Sequence, residues 1–158
     1  MMLLAGGANA EPPTFSAADL LGTWECGPTS MHGPGFDLDV LIKTTNHPDG
    51  TYTSSSTSII KPHGKSAVTN LDESKGTWVL QGDLLTTVVE SARFISSTDP
   101  TFSRNEGQLL LEDELHKKRT YEARLLELKD GHSRTVPVGS LYPEAVTESS
   151  CRLLPSPS

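Results

Sequence analysis

Turn-forming residues interrupt this chain so often that little room remains for long helices. Gly27-Pro28, Gly33-Pro34-Gly35, Pro48-Asp49-Gly50, Pro62-His63-Gly64, Gly82-Asp83 and Asp130-Gly131 each join residues that break regular structure or favour tight turns. The segments between them are short and rich in β-branched and apolar residues. In one of them Phe36, Leu38, Val40 and Ile42 alternate with Asp37, Asp39, Leu41 and Lys43. A period of two buries one face of a strand. The rhythm predicts an all-β sandwich or barrel rather than a βαβ protein.

Strands are expected over 20–26, 36–43, 51–60, 76–80, 84–90, 108–115, 119–128, 132–138 and 146–154, so about eight to ten strands, close to the number that closes a small barrel. The run 51–60 is almost wholly hydroxylated and is expected to turn that polar character to water, lining a polar cavity being the alternative. A short entry helix is expected over 17–21 and a loop over 92–104. The segment 110–129 carries two patterns. Leu111, Leu115, Lys118, Tyr121, Leu125 and Leu128 fit a helical stripe, whereas Tyr121, Ala123 and Leu125 alternate with Glu122 and Arg124. The alternation, followed by a turn signal, favours strands here.

The chain of 158 residues suits one domain. Its formal net charge of −7 counts against nucleic acid as a partner, since phosphates call for a basic surface. No apolar run approaches the roughly twenty residues of a membrane-spanning helix. Residues 1–10, MMLLAGGANA, end on Ala8-Asn9-Ala10, small residues of the kind signal peptidase requires, with Glu11-Pro12-Pro13 following. The first basic residue is Lys43, so a positive leader is missing, and residues 1–10 are expected to be the remnant of an export signal. A lead-in over 11–18, a barrel over 19–154 and a disordered tail over 155–158 complete the expected organisation. The two cysteines, Cys26 and Cys151, lie near opposite ends of that barrel region. In an exported chain they are expected to form one disulfide, two free buried thiols in a cytosolic protein being the alternative.

Two short motifs add a family resemblance. Gly22-Thr23-Trp24, close after the entry helix, resembles the first strand of the lipocalins and the wider calycin barrels. Gly76-Thr77-Trp78, followed by Gly82-Asp83-Leu84, is similar to the middle hairpin of small bacterial lipocalin-like domains. The resemblance implies an antiparallel up-and-down barrel with Trp24 packed across its closed end and the Arg152 guanidinium lying over the indole. It also implies that the first and last strands are neighbours, which would bring Cys26 and Cys151 together.

Catalytic motifs are missing. There is no nucleophile elbow, phosphate-cradling loop or zinc-binding helix signature, and neither cysteine belongs to a CxxC pair. The five histidines, His32, His47, His63, His116 and His132, are not spaced as metal ligands. The sequence therefore predicts a binding protein without cofactor or metal rather than an enzyme. If the ligand is small and apolar, Phe36, Leu38, Val40, Trp78, Leu84 and Val88 are the residues expected to line its cavity. The 27–35 segment is expected to be a loop at the barrel mouth, with Met31 and His32 forming a binding lip. The alternative is a protein-binding module, such as a periplasmic enzyme inhibitor or toxin-neutralising protein, whose negative charge steers it to a basic partner.

Overall fold

The computed structural model describes residues 15–139 and 147–157. A 3-10 turn, Ala17–Leu20, leads into eight strands: β1 (Gly22–Gly33), β2 (Phe36–Asn46), β3 (Thr51–Pro62), β4 (Val68–Gln81), β5 (Leu84–Ser97), β6 (Thr120–Lys129), β7 (His132–Val138) and β8 (Ser149–Leu153). A helix, α1 (Arg104–Lys117), stands between β5 and β6. Each strand pairs antiparallel with the next, and β8 returns to β1, so the sheet closes into a barrel. This architecture is consistent with a calycin-like fold. The expected export remnant, residues 1–10, lies outside the described residues.

Turn chemistry sets the registers. Asp130 and Gly131 both have positive φ, 52° and 72°, the conformation of the two-residue turn whose twist matches its flanking strands. Gly27 (φ 98°) sits where β1 bulges, between Cys26 paired with Ile42 and Thr29 paired with Val40. A Cβ at Gly27 would come within 2.5 Å of the Val40 carbonyl oxygen, so only glycine fits. The 27–35 segment is consequently strand rather than loop, with the turn confined to Pro34-Gly35.

β8 is short and pairs with only three residues of β1: Trp24 with Leu153, Glu25 with Arg152, and Cys26 with Cys151. A disulfide joins the last pair across a sequence separation of 125 residues. Leu20, Trp24, Tyr52, Trp78 and Leu125 form the core at this end. The Trp24 indole N–H donates to the Leu20 carbonyl at 3.0 Å, and the Asn46 side chain donates to the same oxygen at 2.9 Å. These bonds fix the 3-10 turn as a plug beneath the barrel.

Two further expectations fail at the element scale. Residues 108–115 are helix, not strand, and the expected loop over 92–104 is divided: β5 runs to Ser97 and α1 begins at Arg104. Ser103 caps the helix reciprocally. Its hydroxyl accepts from the Glu106 backbone N–H at 3.1 Å, while the Glu106 carboxylate accepts from the Ser103 N–H at 2.7 Å.

Candidate ligand-binding interior

Alternation along the strands sends one set of side chains inward. On β2 these are Phe36, Leu38, Val40, Ile42 and Thr44; their partners across β3 are Pro62, Ile60, Ser58, Ser56 and Ser54. On β4 the inward series continues through Asn70, Asp72, Ser74 and Trp78. The hydroxylated run thus faces both ways, with Ser54 and Ser58 lining interior space and Thr53 and Ser55 on the outer face.

Two chambers result. The lower one, about 410 Å³, lies above the plug. Trp24, Tyr52, Trp78 and Leu125 supply its apolar surface, and Thr44, Ser54, Ser74, Thr87, Ser133 and Thr135 add hydroxyls. The Trp78 indole nitrogen is buried without a hydrogen-bond partner. Burial pushes the Tyr52 phenol pKa up, opposed by a hydrogen bond with the Ser74 hydroxyl.

The upper chamber, about 420 Å³, lies where α1 covers the inner face of the long strands. Phe36, Leu38, Ile60, Phe94 and Phe102 face Leu110 and Leu111 of the helix, with Gly107 between them. Phe94 and Phe102 pack edge to face, their ring centres 5.6 Å apart. The backbone N–H of Phe94 donates to the Gln108 side chain at 2.9 Å, which ties the helix to β5. Ser58, Asn70 and Asp72 are the polar residues of this wall. Asn70 Oδ1 is buried and unpartnered, and burial raises the Asp72 pKa above the usual carboxylate range.

The residues expected to line a cavity divide accordingly. Phe36 and Leu38 line the upper chamber and Trp78 the lower; Val40 shares the inward face of β2. Leu84 and Val88 do not line either chamber. The β4–β5 turn at Gly82-Asp83 pairs Leu80 with Leu85 and Trp78 with Thr87, so Leu85 and Thr87 point inward and their neighbours Leu84 and Val88 outward. Met31 is paired with Leu38 on the inner face. His32 is exposed on the outer face, where its ring nitrogen lies 2.8 Å from the Asp37 carboxylate. Both belong to β1 rather than to a loop lip.

Arg152 departs from the family expectation. It faces outward and holds Glu25 at 2.7 Å, and it does not cover Trp24, because Trp24 is paired with Leu153 and Arg152 with the next residue along. The Arg152 guanidinium keeps the Glu25 carboxyl below its ordinary pKa. Asp72, Asn70 and the Gly107 contact did not stand out in the sequence, although the polar interruption of β4 at alternate positions was available as a signal. No protein-family model matches the chain, and no curated protein matches it.

Proposed function

We propose that this protein is a lipocalin-like carrier that binds a small apolar or amphipathic molecule inside its barrel. The lower chamber carries this reading: about 410 Å³ of space walled by two tryptophans and a tyrosine, with hydroxyls of Thr44, Ser54, Thr87 and Thr135 around it. Spaces of roughly 300–1,000 Å³ with an apolar wall and few polar groups are typical of small-molecule sites. The disulfide supports a place in the periplasm or outside the cell, where such bonds persist. The alternative of a protein-binding module draws on the net charge of −7, a less specific feature than the interior space.

Titration with the neutral fluorophore N-phenylnaphthylamine tests this reading. Wild type should bind it saturably at one site. Ser54→Phe, which fills the lower chamber, should weaken binding at least about tenfold. Ser55→Phe, on the outer face of the same strand, should leave it unchanged. Equal behaviour of the two variants, or absence of saturable binding by wild type, refutes an interior site.

A further inference from the structure

The two chambers differ in the polar groups they offer. The lower one presents hydroxyls, whereas the upper one presents a carboxylate, Asp72, beside Ser58 and Asn70. Asn70 Oδ1 is buried in its wall without a donor. Asp72 stands beside it, one alternation further along the inner face of β4, paired across the sheet with Ser56 on one side and Phe94 on the other. Among the described residues lining the chamber, Asp72 is the one ionisable side chain, with no Lys, Arg or His among them to neutralise it. Burial alone accounts for the upward displacement of its pKa. Several carboxylates elsewhere are ion-paired: Asp37 with His32, Asp39 with Lys61, Glu73 with Arg93 and Asp83 with Arg124. A carboxylate placed in an aromatic and aliphatic chamber without a partner is costly, and a bound cation is what removes that cost.

We propose that the upper chamber selects ligands bearing a protonated amine on an apolar body, with Asp72 as counter-ion for the ammonium. Phe36, Leu38, Ile60, Phe94, Phe102 and Leu111 then cover the apolar part. Ammonium–carboxylate contacts and aromatic faces act in the same direction, since both favour a cation over a neutral group of equal shape. The inference rests on the carrier reading above and adds a second chamber suited to cationic amphiphiles.

Calorimetry with tryptamine and its neutral counterpart tryptophol at neutral pH tests the proposal. Wild type should bind tryptamine at least about tenfold more tightly. Asp72→Asn should abolish that preference, and Asp72→Ser should do the same. Equal affinity of wild type for the two compounds overturns the amine selectivity and leaves the carrier reading standing. A preference that survives both Asp72 variants also overturns it. If neither compound binds while N-phenylnaphthylamine still does, the amine site fails alone; if none of the three binds, both proposals fail.

Discussion

At the residue scale, Asp72 trades stability for chemistry. Its burial raises the folded-state pKa above the unfolded value of about 3.9, so the folded protein holds that proton more tightly than the unfolded chain does. The empty barrel therefore carries a penalty at neutral pH, where the group is charged. The penalty fades as pH falls through the folded pKa and is gone below the unfolded one. Asp72→Asn is expected to raise the melting temperature of the ligand-free protein at pH 7, with the gain shrinking as the solution is acidified. Melting curves across pH check this; a variant less stable than wild type at neutral pH contradicts it. Glu25 has the opposite sign. Its pKa is depressed beside Arg152, so any support it gives is present above the unfolded pKa and lost in acid. At this scale the sequence was misleading for Arg152. The resemblance placed it over Trp24, and a one-residue register difference turned it to the outer face, where Glu25 was waiting.

At the element scale, α1 is held by a contact that propensity would not reveal. Gly107 lies against the Phe94 ring so closely that a Cβ there would come within 2.4 Å of it. Alanine in a helix interior normally gains roughly 0.5–1 kcal/mol over glycine. Here overpacking outweighs that gain, and Gly107→Ala is expected to lose about 1–3 kcal/mol as the helix is pushed from β5. Urea unfolding measures the difference; a stabilised Gly107→Ala protein would show that the helix sits further out. The helix was legible in principle. Ser103-Arg104-Asn105-Glu106 is a capping-box signature, and the residues after it lack β-branching, whereas the β rhythm of the flanking segments favours a strand over 108–115. The hairpins were easier, since Gly82-Asp83 and Asp130-Gly131 fix both turn and register locally. Counting outward from Gly82-Asp83 would also have placed Leu85 and Thr87 inside and Leu84 and Val88 outside.

At the scale of the whole molecule, closure depends on a short seam. β8 contributes five residues, and among the described residues three of them pair with β1, so the Cys26–Cys151 bond reinforces a short junction of the barrel. It also closes a loop spanning 125 residues of sequence separation. In the chain-entropy account such a crosslink stabilises by about 4–5 kcal/mol, and the Cys26→Ala/Cys151→Ala double variant is expected to lose most of that in urea unfolding. A loss near zero would show that β1 and β8 hold without it. Strand number and the disulfide were within reach of the sequence because they follow from turn spacing and from two cysteines near the ends of the barrel, and closure was what the resemblance to calycin barrels implied. The interior was not, because whether a barrel is filled depends on which residues share a row, such as Ile42, Ser56, Asp72 and Phe94, on four different strands. The central claim is that the space so formed is a binding site. A crystal structure of the protein with N-phenylnaphthylamine tests it most directly. The account predicts the fluorophore inside the lower chamber, between Trp24, Tyr52 and Trp78; a chamber collapsed onto its own side chains, with the fluorophore on the outer surface, would contradict it.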